Sequence, residues 1–249
     1  RRPASAPPRS GSTVMMWLSN IPILSDLDGT LIESKEAVVA AFRWWAQLRG
    51  LSPDIVDHIP FGRTSTDAAA MLAPHLDAET EGRLLDDRQA EDLAGVVALP
   101  GALELLSSHE PFAIVTSGPI RLATARLRAA QLPIPRHLAT PELWTHGKPH
   151  PEPYLKGAAM LGVPPQECVV LEDAPAGVES GVRAGMTVIA ILTSHTPEQL
   201  SAAAAQIHAL TELPAALGKL GRLWHVRART IAAELDRQSI GMERCRGEK

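Results

Sequence analysis

Two kinds of hydrophobic pattern alternate along the chain. Short unbroken apolar runs at Ile23-Leu24, Phe112-Ala113-Ile114-Val115, Cys168-Val169-Val170-Leu171 and residues 187–192 end in polar residues or glycine. Strands buried on both faces of a parallel sheet read this way. Between the runs, residues 101–108, 120–130, 152–161 and 176–184 repeat apolar positions at three- and four-residue spacing and predict helices. Residues 137–139 and 206–210 are weaker strand candidates. From Pro100 onward this alternation predicts an α/β fold, a Rossmann-like parallel sheet with covering helices.

The segment from Ser34 to Leu99 has a different character, with helical periodicity and no strand candidate. Ala37-Val38-Val39, Phe42, Trp45 and Leu48 mark one helix, which Gly50 can end. Residues 66–72 and 78–93 predict two more, with Pro53, Pro60 and Pro74 as punctuation. The Trp44-Trp45 pair reads as packing. The expected organisation is a core of 20–33 and 99–218 interrupted by a helical unit at 34–98. Residues 1–19, rich in Pro, Ser and Arg at their start, are expected to be a disordered extension, and 219–249 a basic tail, frayed or disordered.

Composition narrows the function classes. A charged fraction of 21% and a net charge of -4 give no general attraction to nucleic acid or anionic membrane. No apolar stretch approaches the ~20 residues of a membrane span, and the patch at Val14–Leu18 is shorter than the ~7–15 residues of a signal-peptide core. The only cysteines, Cys168 and Cys245, imply no disulfide framework, so a cytoplasmic protein is expected, a monomer or weak homodimer.

Candidate chemistry lies at the ends of the apolar runs, where open parallel sheets bind ligands. The first run continues as Ser25-Asp26-Leu27-Asp28-Gly29-Thr30. Side chains alternate along a strand, so Asp26 and Asp28 leave it on one side, with Gly29 for the turn. Two adjacent acids suggest a cation site or an acid and base sharing one reaction; an Asx turn is the plainer alternative. Thr116-Ser117-Gly118 and Glu172-Asp173 end two other runs, and Lys148 lies in a loop between them. Taken singly, these are a helix cap, a solvated turn and a surface lysine. Together they supply acids for a hard cation and hydroxyl, amide and ammonium donors for a phosphate dianion. His146 and His150 are four apart, but Gly147 and Pro149 argue against a helix presenting both on one face, so they read as loop residues and not zinc ligands.

Asp26-Leu27-Asp28-Gly29-Thr30, Val115-Thr116-Ser117-Gly118, Gly147-Lys148-Pro149-His150-Pro151 and Leu171-Glu172-Asp173-Ala174-Pro175-Ala176-Gly177-Val178 resemble, in order, the four motifs of the haloacid dehalogenase superfamily. The helical unit resembles the cap of the subgroup with an insertion after the first strand, nearest to small sugar-phosphate and polyol-phosphate phosphatases. The resemblance implies Asp26 as nucleophile and magnesium ligand, and Asp28 as acid and base, ligating magnesium through its backbone carbonyl. It also implies phosphate binding by Thr116, Ser117 and Lys148, and completion of the metal site by Asp173 with Glu172. Gly62 and Arg63, in the loop Phe61-Gly62-Arg63-Thr64-Ser65, resemble the cap loop that contacts substrate, although a surface ion pair would equally explain Arg63. Two features depart from the family pattern: Ser25 precedes the first acid where a bulky apolar residue is usual, and Glu33 stands where a shorter Asp is common. The implied partner is a small phosphorylated sugar or polyol. A phosphosugar mutase or a non-catalytic binding protein of the same fold are the alternatives.

Overall fold

The structure is a computed structural model that describes residues 21–221. Six strands form one parallel sheet in the order β5-β4-β1-β6-β7-β8. They are β1 (Ile23–Ser25), β4 (Phe112–Val115), β5 (Leu138–Ala139), β6 (Val169–Glu172), β7 (Thr187–Ile191) and β8 (Ala205–Ile207). The central strand β1 pairs with β4 on one side and β6 on the other, with Leu24 opposite both Ala113 and Val170. The carboxyl ends of these three strands are therefore adjacent.

The apolar runs are continuous because both faces of the sheet are covered. Ile23, Phe112, Ile114, Val169, Leu171, Ile189 and Ile191 belong to one core cluster. Their immediate neighbours Leu24, Ala113, Val115, Val170, Val188 and Ala190 belong to another, as the strand period of two requires. The first cluster packs under α4 (Ala102–Ser108), α5 (Ile120–Ala129) and a helix over 213–221, the second under α6 (Glu152–Leu161) and α7 (Pro175–Arg183).

Helices α1 (Lys35–Arg49), α2 (Ser65–Leu72) and α3 (Ala78–Glu91), with a 3₁₀ turn at Pro53–His58, build a third core around Phe42, Trp45, Ile55, Ala69 and Leu85. Gly50, in the left-handed conformation, ends α1. Trp45 is fully buried, as the packing reading expects, and donates its indole N–H to Glu81 Oε2 at 2.6 Å. Arg49 Nε donates to the same oxygen at 2.9 Å, and that bond holds the buried Glu81 carboxyl below its ordinary range. Trp44 is half-buried, with the Arg88 guanidinium over its ring.

One expectation fails here. Val97–Ala98 is a strand, β3, pairing antiparallel with β2 (Ile32–Glu33) at the two ends of the helical segment. Two residues are too few to show a period, which is why the pattern gave no warning. The ribbon joins both ends of the helical unit to the sheet side by side. The expected extension at 1–19 lies outside the described residues, as does the tail beyond 221; residues 219–221 close the last helix. Among the described residues no helix is long and apolar enough to cross a membrane.

Candidate active site

The Asp26 backbone N–H donates to Leu171 O at 2.9 Å, extending the pairing of β1 with β6 so that the acid leaves at the sheet's edge. Ser25, buried where a larger apolar residue was expected, donates its hydroxyl to Asp26 O at 2.7 Å. Gly29 makes the turn with φ 77°, and a Cβ there would lie 2.0 Å from Asp173 Oδ2. Only glycine allows both that conformation and that approach.

Lys148 is fully buried. Its ammonium donates to Asp26 Oδ1 at 2.5 Å, Glu172 Oε1 at 2.7 Å and Val115 O at 3.0 Å, which uses all three of its donors. The Tyr154 ring lies 4.9 Å from Nζ, and its hydroxyl donates to Glu172 Oε1 at 2.7 Å. Glu172 Oε2 accepts from the backbone N–H groups of Asp173 and Ala174. Both Glu172 oxygens are thus engaged, and its first task is to hold Lys148.

Burial pushes Asp26 up to about 8, against the pull of Lys148 and with help from Glu172 and Asp28. Burial also drives Asp173 well above the carboxylate range, with Glu172 and Asp26 adding to it. For Lys148, burial alone would lower the ammonium, but Asp26 and Glu172 outweigh it and raise it. Both acids are thus raised chiefly by burial, with the neighbouring carboxylates adding to it.

Asp26, Glu172 and Asp173 each bring one carboxylate oxygen within 4.8 Å of the others. Buried, all-oxygen and net negative, this set fits a hard divalent cation. The side chain of Asp28 is not part of it. Asp28 Oδ1 accepts from Ser34 Oγ at 2.7 Å, and Oδ2 pairs with Arg126 at 2.8 Å. Only its backbone carbonyl is left to serve a cation, the route the resemblance implies.

Thr116 is buried and Ser117 half-buried, both on the cavity wall. Thr116 Oγ1 accepts from Gly118 N at 3.2 Å within the turn before α5, whose N-cap residue is Pro119 with no side-chain capping bond, so neither residue is the helix cap. Ser117 Oγ donates to Gly62 O at 2.8 Å. That bond ties the loop at residues 61–65 to the end of β4. Gly62, with φ 84°, sits so close to Ala174 that a Cβ would lie 2.7 Å from the alanine's own. Arg63 lines the cavity and forms no ion pair among the described residues, contrary to its surface-pair reading. Glu33, which departs from the family pattern, lines the same cavity.

The cavity is a cleft with about 830 Å³ of empty space, open solvent included, between the strand ends and the helical unit. Sequence reasoning missed Arg126 in its wall. It is buried on α5 with Leu122, Ala123 and Leu127, and donates to Gln89 Oε1 of α3 at 2.7 Å while pairing with Asp28. The signal was available: a charged residue occupying the buried stripe of an amphipathic helix. Tyr154 gave no such signal.

Asp86, also on the cavity wall, accepts from Ser65 Oγ at 2.6 Å, and burial pushes its carboxyl up to about 6 from 3.8. A raised carboxyl means the folded chain binds the proton more tightly, so stability falls as pH rises from about 4 to about 6. Asp86→Asn is expected to remove that decline, worth about 2–3 kcal/mol at most, and to melt higher than the parent at neutral pH. Thermal unfolding across this range checks it; parallel pH profiles for the two proteins would contradict it.

The chain is similar to several known proteins. A family model described as haloacid dehalogenase-like hydrolase matches residues 23–185. The chain is 42% identical over 197 residues to hexitol phosphatase A of Escherichia coli, covering 76% of this chain and 91% of that protein. It is 34% identical over 185 residues to glycerol-1-phosphate phosphohydrolase 1 of Saccharomyces cerevisiae, covering 69% and 74%. A solved hydrolase from Pseudomonas syringae matches with a TM-score of 0.71 at 27% identity, covering 80% of this chain and 98% of that one.

Proposed function

Because the chain belongs to the haloacid dehalogenase-like hydrolases, we propose that it is a magnesium-dependent phosphatase hydrolysing small sugar or polyol phosphate monoesters through a covalent phosphate on Asp26. The observation that carries this reading is the convergence of Asp26 and Asp173, at two adjacent strand ends, with Lys148 from the loop before α6, beside a lined cavity. The relatives that act on hexitol and glycerol phosphates support the substrate class.

Asp26 Oδ1 is held by Lys148, which leaves Oδ2 to attack phosphorus. As the Asp26–phosphorus bond forms, the bond to the alcohol oxygen breaks, and Asp28 gives that oxygen its proton. Asp28 then takes a proton from water as the water oxygen displaces Asp26, releasing inorganic phosphate. To reach the leaving oxygen, Asp28 must swing away from Ser34 and Arg126, which occupy both its oxygens here. Thr116 and the Ser117 backbone N–H hold the phosphate oxygens, and Lys148 joins them by turning one of its three engaged N–H donors toward the phosphate. Asp26, Asp173, the Asp28 carbonyl and Glu172 would hold magnesium, which offsets negative charge between the acids and the dianion. Residues 34–98 act as a cap that excludes water and, through Gly62 and Arg63, contacts the sugar or polyol.

A panel of sugar and polyol phosphates, read as released phosphate, tests the reading. Release is expected for several members and is expected to vanish with a chelator and return with magnesium. Full activity in excess chelator would refute the metal requirement. Conversion of a hexose 1-phosphate to an isomer without free phosphate would replace hydrolysis with phosphoryl migration.

A further inference from the structure

The sequence reads His146 and His150 as loop residues and not zinc ligands, and the loop that carries them folds their rings together. The ring centroids are 4.7 Å apart. Glu152, the first residue of α6, completes the group: its Oε2 lies 3.3 Å from His146 Nδ1 and 4.0 Å from His150 Nδ1. One ligand atom from each of the three falls within 4.8 Å of the others. The carboxylate is aimed by the loop's own backbone, since it accepts from the N–H groups of Thr145 and His146. The turn around Gly147 brings the two rings together without a helix.

We propose that His146, His150 and Glu152 form a surface site for a divalent transition cation of the zinc type, separate from the acidic cluster. Two imidazoles and one carboxylate suit zinc, cobalt or nickel, whereas magnesium prefers the all-oxygen cluster. Water would complete the coordination, because both histidines are exposed. The site brackets Lys148. Its loop is already tied to α7, where Ser180 Oγ donates to His150 O at 2.6 Å and Arg183 donates to Pro149 O. A cation joining residues 146, 150 and 152 would close the loop's other side and fix the segment that delivers Lys148.

Cobalt separates the two sites, since a four-coordinate nitrogen-containing site absorbs visible light far more strongly than a six-coordinate oxygen site. The untagged full chain, stripped of metal and then saturated with magnesium, is titrated with cobalt and afterwards with zinc. One equivalent of cobalt is expected to give an intense visible band that zinc abolishes. His146→Ala and His150→Ala are each expected to weaken cobalt binding at least tenfold, with Glu152→Gln weakening it less. Phosphate release without added transition metal should equal that of the parent in both histidine variants, which shows that they are folded. No intense band in the parent, or an unchanged band in His146→Ala, would overturn the proposal.

Discussion

Asp26→Asn is expected to lower phosphate release by about 10³-fold or more while leaving the protein folded, because removing a nucleophile abolishes the covalent route instead of weakening it. The amide matches the carboxylate in size and keeps a carbonyl oxygen to accept from Lys148. Asp26 is 4% exposed among like charges, so a neutral group there is no harder to bury than the acid it replaces. The melting midpoint should therefore hold or rise while activity disappears. That pairing separates a chemical loss from a folding loss. Release within tenfold of the parent would exclude Asp26 as nucleophile and move the covalent step elsewhere or remove it.

How much of this was legible in the sequence depended on the range of the interaction concerned. The sheet was legible because burial on both faces writes itself as unbroken apolar runs, and β4 spans the run at Phe112–Val115 without revision. The two-stranded ribbon was not, because β2 and β3 are two residues each and carry no period. Asp26 and Lys148 were identifiable by their place in ordered motifs, but not their contact, since 122 residues separate them in the chain. Local pattern also could not tell that Lys148 is entirely buried, because a lysine in a proline-rich loop ordinarily faces water. Arg126 could have been found from its stripe on α5. His146 and His150 could not, because their meeting depends on a turn whose shape no spacing rule describes.

The same cluster makes Lys148→Met the most damaging single change expected for stability. Lys148 lends its ammonium to two buried carboxylates and a backbone carbonyl, and methionine fills its space without supplying a donor. Asp26 and Glu172 would then face each other without a counter-charge, a loss of about 3–5 kcal/mol by comparison with other broken buried pairs. The variant should also carry a distinctive pH dependence. Removing the cation drives the Asp26 carboxyl still further above its ordinary 3.8, so the folded state binds a proton that the unfolded chain releases. Because the parent's Asp26 already lies at about 8, both proteins lose stability in parallel as pH rises from about 4, and the gap between them should widen further above about 8, where the parent's carboxyl ionises and the variant's does not. Magnesium should raise the melting midpoint more in this variant than in the parent, since a divalent ion at Asp26 and Asp173 replaces part of the missing charge. Arginine is not expected to rescue it, because a planar guanidinium does not fit a fully enclosed ammonium site with three convergent acceptors. Equal melting midpoints for Lys148→Met and the parent at neutral pH would mean that the carboxylates are neutralised in some other way, and the charge balance assigned to the site would have to be abandoned.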